Sequence, residues 1–188
     1  MYLRSGADQA AIKAVATTSK NVVIIGTGFI GSEAASAMKM HLKDTAEVHI
    51  IGMTEVHMQM QLGPEVGGLI KGEHEKNGVK LHMKKSVTEI KGDGQNATAV
   101  LLSDGTEIKA DLIIVGAGIV PSTQFLKDTD VKLDKQGGVI CDPFLQTSNK
   151  DVFAAGDIAA HPYWLTGETV RIEHYITSQD QGSHAAFN

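Results

Sequence analysis

The chain has 188 residues, a composition close to that of an average globular protein, and a formal net charge of -5. Its 17 lysines and arginines are scattered along the chain, which argues against a nucleic-acid-binding surface, because such a surface needs clustered cations to displace counterions from phosphates. No apolar stretch reaches the roughly 20 residues that a membrane-spanning helix needs. The single cysteine, Cys141, excludes an internal disulfide and the paired thiols of a Cys-x-x-Cys redox centre.

The first residues lack the apolar core of a secretory signal, and they are too acidic and too poor in arginine for a transit peptide. We therefore expect a cytoplasmic or mitochondrial protein rather than a secreted one.

The first part of the chain predicts a strand–helix–strand unit. Residues 9–20 have the spacing of a short amphipathic helix, and residues 21–25 form an apolar run without polar alternation. Such a run is typical of a strand covered on both faces, as in a parallel sheet. A helix at 32–42 and a second strand at 47–51 complete a βαβ unit of the usual size.

The rest of the chain predicts alternating elements, a small antiparallel meander and a final helix. Turn signals such as Gly92-Asp93-Gly94 separate the short strands of the meander. In chain order we predict a helix at 64–77, a strand at 79–83, the meander at 86–108, an apolar strand at 111–115, a short buried strand at 152–155 and a helix at 178–187. The fold class is therefore α/β, a Rossmann-like parallel sheet with a small antiparallel β-meander.

A glycine-rich turn joins the first strand to the helix that follows it. Gly26 permits the tight turn, Gly28 leaves room for phosphates, and Gly31 lets the helix pack closely on the strand, with Phe29 and Ile30 between them. The helix N-terminus that follows favours negative charge. We therefore predict that this turn binds the pyrophosphate of a nicotinamide dinucleotide; the alternative is an ordinary strand-to-helix connection.

The second strand ends at Gly52, where the dinucleotide fingerprint carries an acidic residue for the adenosine ribose. The nearest candidates are Glu55 and His57, and the segment contains no arginine or lysine for a 2′-phosphate. This absence favours NADH over NADPH.

A second informative segment ends in Gly156-Asp157. The glycine would let a ligand approach the backbone, and the strand before it would present the carboxylate of Asp157 at its end. The alternative is that Asp157 caps the turn that follows.

Four blocks along the chain resemble the two-dinucleotide flavoprotein reductases of the pyridine nucleotide-disulfide oxidoreductase superfamily. The resemblance is closest to the branch that contains apoptosis-inducing-factor-like proteins and ferredoxin reductases. The blocks are residues 26–33, residues 115–118 with Pro121, residues 152–157, and residues 171–175. Gly116, Gly118 and Gly156 fall within these blocks and are expected to line the cofactor sites.

The resemblance implies roles for individual residues. Asp157 would hold the ribityl chain of FAD, and Glu173, His174 and Tyr175 would lie beside the flavin ring and the nicotinamide. The N-terminus of the last helix would face the N1/C2 end of the flavin. Glu33 would face the place where nicotinamide meets flavin; its alternative role is a first-turn glutamate that satisfies the helix dipole. Glu33 and His174 are thus the catalytic candidates.

The resemblance also predicts how the chain is divided and what it does. Residues 1–139 would form a nicotinamide-dinucleotide-binding domain and residues 140–188 the returning C-terminal part of an FAD-binding domain, so that the chain is a fragment of an NAD(P)H-dependent FAD oxidoreductase. Electrons would pass to an external acceptor, namely a ferredoxin-like protein, a quinone or oxygen. The alternative is an isolated dinucleotide-binding module without stable FAD or turnover.

Two further expectations concern metals and self-association. The histidines, among them His57, share no metal-ligand motif, so we expect structural or solvated histidines and no metal site. Exposed apolar residues would favour a homo-oligomer; they are Phe144, Leu145, Tyr163 and Trp164.

Overall fold

Helices and strands alternate through the first half of the chain, and short strands and loops follow. The computed structural model describes residues 1–188 in two compact units, Met1–Gly118 and Ile119–Asn188. The helices are α1 (Gly6–Ala16), α2 (Phe29–Leu42), α3 (Gln59–Lys76) and α4 (Tyr175–Phe187). The strands are β1 (Asn21–Ile25), β2 (Glu47–Gly52), β3 (Lys80–Met83), β4 (Val87–Gly92), β5 (Ala97–Leu102), β6 (Glu107–Lys109), β7 (Leu112–Val115), β8 (Val139–Ile140), β9 (Ala159–Pro162) and β10 (Thr169–Val170).

A parallel sheet in the order β3-β2-β1-β7 forms the centre of the first unit. Alternate residues of its strands face opposite ways. Ile24 and Ile50 belong to a buried cluster with α1 and α2, whereas Val23 and Ile51 pack with the antiparallel meander β4-β5-β6. Both faces of the sheet are therefore covered, which explains the unbroken apolar runs and confirms the predicted fold class.

The helices of the first unit begin earlier than predicted. Helix α1 starts at Gly6 because Ser5 and Asp8 form a capping box, and α2 starts directly after Gly28. Helix α3 begins at Gln59 and is broken at Gly63 (φ 78°, ψ 170°), so the predicted start at residue 64 marks its second segment, which Pro64 opens.

The second unit has a small sheet in the order β10-β9-β8 and its own core. Two predictions are wrong here. Residues 152–155 form no strand: Phe153 makes an isolated bridge to Gln146 in a tight antiparallel pair too short for a ladder. Leu145 is buried with Val139 and Cys141, and Tyr163 is half-buried, although Phe144 and Trp164 are exposed as expected.

A buried histidine supports the start of α2. His57 has no exposed surface, its Nδ1 lies 2.8 Å from the hydroxyl oxygen of Ser32, and its ring stacks on His74. Burial, together with the nearby His74 and Lys71, lowers the pKa of His57 to about 4. The imidazole is therefore neutral at pH 7 and structural.

This lowered pKa predicts a pH-dependent stability. The unfolded chain, in which the pKa of histidine is 6.5, binds more protons than the folded chain between pH 6.5 and about 4, so the free energy of unfolding should fall as the pH is lowered through that window. His57→Gln should reduce the slope by up to about 1.4 kcal/mol per pH unit. Urea unfolding at a series of pH values measures this, and an unchanged slope in the variant would contradict the assignment.

Candidate functional site

Three glycines allow β1, α2 and β7 to meet closely. Gly26 has a φ of +112°, and a Cβ there would collide with the carbonyl oxygen of Gly116. A Cβ on Gly31 would collide with the carbonyl oxygen of Gly26, and one on Gly116 would lie 3.2 Å from the Gly31 nitrogen. The fold itself therefore requires small residues at these positions.

Gly28 differs from these three glycines. Its φ of −75° and ψ of −169° suit any residue, and a Cβ there would meet no atom of the chain within 4 Å. Neither conformation nor packing within the chain explains a glycine at this position. Its small size instead suits the approach of a ligand to the backbone.

The N-terminus of α2 carries no side-chain cap, although Ser5 caps α1. The first N–H groups of a helix have no partner within the helix, and the helix dipole places partial positive charge there. Phe29 and Ile30, in the first turn, are about half exposed. The start of this 14-residue helix can therefore receive an anion over Gly28.

A loop after β2 is fastened to the glycine turn through Thr27, which is buried. The backbone N–H of Met58 donates to the Thr27 carbonyl at 2.8 Å, and the hydroxyl oxygens of Thr27 and Thr54 lie 3.3 Å apart. The sequence alone did not single out Thr27 or Thr54, because their partners are distant along the chain.

The end of β2 cannot hold an acidic side chain. A Cβ on Gly52 would collide with the side chain of Thr27. Thr27 therefore occupies the space that an acidic side chain at the end of β2 would need. The sequence offered Glu55 and His57 as alternative residues for the adenosine ribose, and the structure places them differently. His57 is buried beneath α2, whereas Glu55 is exposed and lies 3.0 Å from the Nζ atom of Lys84.

The sequence alone did not indicate Lys84, because it lies far along the chain from the segment that follows β2. It follows β3, the neighbouring strand, and its backbone N–H donates to the Thr54 carbonyl at 3.0 Å. Its hydrogen bond and its charge lower the pKa of the Glu55 carboxyl. Parallel pairing of β2 with β3 would have been the only signal of this proximity.

Glu33 is exposed and makes no hydrogen bond or ion pair. Because α2 begins at Phe29, Glu33 lies beyond the first turn of the helix, which contains no acidic residue. The alternative role as a first-turn glutamate is therefore wrong, and nothing within the fold engages this carboxylate.

Helix α4 supports the Gly156-Asp157 turn in the second unit. The Gly156 N–H donates to Oε1 of Gln181 at 2.8 Å, and the Ser178 hydroxyl donates to the Asp157 carboxylate at 3.3 Å. The Asp157 carboxylate accepts no backbone N–H, so the predicted alternative of a turn cap is wrong. Asp157 is exposed and free to bind a ligand.

Arg171 connects this turn with the segment 173–175. Its Nη1 donates to the Asp157 carbonyl at 2.8 Å and to the Glu173 carboxylate at 2.9 Å. His174 is the N-cap of α4, and its Nδ1 accepts the Ile176 N–H, which explains why the helix begins before the predicted residue 178. Glu173, His174 and Tyr175 are all exposed.

Three further observations concern the cysteine, metal binding and membrane-spanning helices. Burial raises the pKa of the Cys141 thiol to about 11, so it stays protonated at pH 7 and is a poor nucleophile. No group of three or more histidines, cysteines and carboxylates is arranged to hold a metal ion. None of the helices is long and apolar enough to cross a membrane.

Comparisons with known proteins agree with this fold. Residues 2–182 match the model of a family described as pyridine nucleotide-disulphide oxidoreductase. The chain is 34% identical over 171 residues to human apoptosis-inducing factor 3. This alignment covers 90% of this chain and 28% of that protein. It is 36% identical over 185 residues to the ferredoxin reductase subunit of a 5,5'-dehydrodivanillate O-demethylase from Sphingobium sp., covering 97% of this chain and 44% of that protein.

A solved structure shows the same likeness. The crystal structure of a ferredoxin reductase from Rhodopseudomonas palustris matches with a TM-score of 0.92 and 30% identity, over 99% of this chain and 45% of that chain. The chain thus spans less than half the length of each of these three proteins.

The contrast among the glycines predicts that alanine lowers the stability of the fold at Gly31 but hardly changes it at Gly28. Gly31→Ala should lower the free energy of unfolding by about 2 kcal/mol or more, because its methyl group meets backbone that cannot move aside. Gly28→Ala should change it by no more than about 0.5 kcal/mol. Urea unfolding of both variants measures this; equal losses would show that Gly28 too is required by the fold.

Proposed function

Because the chain belongs to the pyridine nucleotide-disulphide oxidoreductase family, we propose that it forms the NAD(P)H-binding part of an NAD(P)H-dependent flavoprotein oxidoreductase and contributes one side of the FAD site. The observation that carries this proposal is the open position at Gly28, in front of an uncapped helix of 14 residues. From the family resemblance we assign residues 1–139 to the nicotinamide-dinucleotide domain and residues 140–188 to the FAD-binding segment, whereas the two compact units of the structure divide earlier, after Gly118.

The glycine turn binds the pyrophosphate of NAD(P)H. Gly26 and Gly31 bring the start of α2 to the end of β1, and Gly28 lets the phosphates reach the backbone. The N–H groups at Phe29 and Ile30 then donate to the phosphate oxygens, assisted by the helix dipole. No lysine or arginine side chain is needed for this contact.

Three further residues of the first unit belong to the same cofactor site. Gly116 closes the turn from the side of β7, and its N–H donates to the Ile25 carbonyl at 2.8 Å. Gly118 has a φ of +105°, and a Cβ there would meet no atom of the chain within 4 Å, so a ligand can lie against its backbone. Glu33, which the fold leaves unpaired, is the candidate for contact with the nicotinamide.

The second unit supplies residues for the isoalloxazine and ribityl portions of FAD. Asp157 accepts hydroxyl groups of the ribityl chain, while Gln181 and Ser178 hold its turn in place. Glu173, His174 and Tyr175 lie beside the flavin, and the N-terminus of α4 stabilises negative charge at the ring. FAD, when bound, supplies the hydride acceptor and passes electrons onward.

The electron acceptor lies outside the chain, since its one cysteine is buried and protonated. Two of the similar proteins are ferredoxin reductases by name, which supports a ferredoxin-like protein as the acceptor ahead of a quinone or oxygen. The cytoplasmic or mitochondrial compartment and self-association through exposed apolar residues stay predictions.

A second candidate function is a dinucleotide-binding module without stable FAD. A strand that leads through a glycine turn into a helix occurs once in the structure, from β1 to α2. The adenosine diphosphate half of FAD therefore finds no second turn of this kind within the 188 residues. Loss of those contacts would remove much of the affinity for FAD.

If the phosphates lie against Gly28, a side chain at this position should weaken NADH binding without destabilising the fold. The purified chain should bind NADH saturably, observed as a change in nicotinamide fluorescence. Gly28→Ala should weaken binding about tenfold or more because its methyl group occupies the phosphate position. Gly72→Ala is the matched control, since Gly72 is also surrounded by open space but lies on α3. Equal affinities in wild type and both variants would contradict the proposed site.

Whether FAD stays with the isolated chain tests the second candidate function. We expect the purified chain to be colourless and to bind NADH, because half of the FAD contacts are missing. A visible absorption spectrum measures this directly. A yellow preparation with a flavin band near about 450 nm would rule out the isolated module and favour a flavin-retaining unit.

A further inference from the structure

An ion pair lies at the edge of the sheet where the dinucleotide turn is. Glu55 follows the end of β2 and Lys84 follows the end of β3, and the Lys84 Nζ lies 3.0 Å from the Glu55 carboxylate. The carboxyl ends of parallel strands form the edge at which such sheets bind nucleotides. The pair therefore stands beside the turn although its members are far apart in sequence.

Hydrogen bonds hold this pair in place relative to the turn. The Lys84 N–H donates to the Thr54 carbonyl, and the Thr54 hydroxyl lies 3.3 Å from that of Thr27, within the turn itself. Thr27 also fills the space beside Gly52, the position that normally carries the ribose-binding acid. An acid that recognises the ribose must then come from farther along the loop, and Glu55 is the first one there.

The two charges suit the two forms of the cofactor. A carboxylate accepts the 2′-hydroxyl of the NADH ribose, whereas an ammonium group attracts the 2′-phosphate of NADPH. Lys85, the next residue, is already engaged by Asp104 at 2.6 Å. Lys71 of α3 adds a more distant positive charge near Glu55.

We propose that the Glu55–Lys84 pair sets the choice between NADH and NADPH. Glu55 accepts the ribose hydroxyl and at the same time neutralises Lys84, so that NADH is preferred. Removal of the carboxylate frees Lys84 for a 2′-phosphate. This inference rests on the proposed function, because it requires a dinucleotide on the turn at Gly28.

The test compares the affinities of the purified chain for NADH and NADPH in wild type, Glu55→Gln and Lys84→Met. A matched control exists at the opposite ends of the same strands, where Lys80 and Glu47 form an ion pair of 2.5 Å with similar exposure. Glu47→Gln removes a negative charge, as Glu55→Gln does, and Lys80→Met removes a positive charge, as Lys84→Met does. Both control positions are remote from the turn.

Wild type should bind NADH more tightly than NADPH. Glu55→Gln should move the affinity ratio toward NADPH by about tenfold, as expected for one exposed charge contact to a phosphate, and Lys84→Met should weaken NADPH while leaving NADH nearly unchanged. Both effects should shrink at about 1 M salt, where screening acts within about 3 Å. The two control variants should keep the wild-type ratio.

The possible outcomes distinguish the role of the Glu55–Lys84 pair from the proposed binding of a dinucleotide. Saturable binding with the same ratio in Glu55→Gln and wild type, or an equal shift in the control variants, overturns the role of this pair and leaves the proposed function standing. Absence of saturable binding of both cofactors to wild type overturns the proposed function, and the inference with it.

Discussion

The close approach of three backbones at Gly26, Gly31 and Gly116 determines the architecture of the first unit. At each of these positions a Cβ would overlap or crowd neighbouring backbone, so β1, β7 and the first turn of α2 can meet only because these residues lack side chains. The consequence is that the helix begins at the edge of the sheet, with its unpaired N–H groups exposed. An anion at this site would be bound by backbone N–H groups that packing has positioned, rather than by charged side chains.

Contacts from distant segments stabilise this arrangement. Ser32, in the first turn of α2, bonds to the buried and neutral His57, and Thr27 holds the loop after β2. In the second unit Arg171 and Gln181 have a comparable role at Asp157, since they hold the backbone of its turn and leave its carboxylate exposed. Each unit thus contains a backbone turn that is held by hydrogen bonds from segments distant in sequence.

Much of this was predictable from local sequence. The apolar runs of β1 and β7 predicted buried parallel strands because both faces of the sheet are covered, and the spacing of the glycines predicted the turn. The exceptions depend on distant contacts: Lys84 reaches Glu55 only because β2 pairs with β3, and Leu145 is buried by the small core of the second unit. The start of α2 was placed too late because the turn passes directly into the helix at Phe29.

Amide NMR of the chain titrated with NADH is the decisive experiment for a dinucleotide pyrophosphate at the start of α2. We expect saturable shifts of the Phe29 and Ile30 amides, whose N–H groups would donate to the phosphates. Amides at the opposite edge of the sheet, such as those of Glu47 and Lys80, should stay unchanged. Saturable shifts elsewhere in the chain, with the Phe29 and Ile30 amides unmoved, would show that the pyrophosphate does not bind at the start of α2.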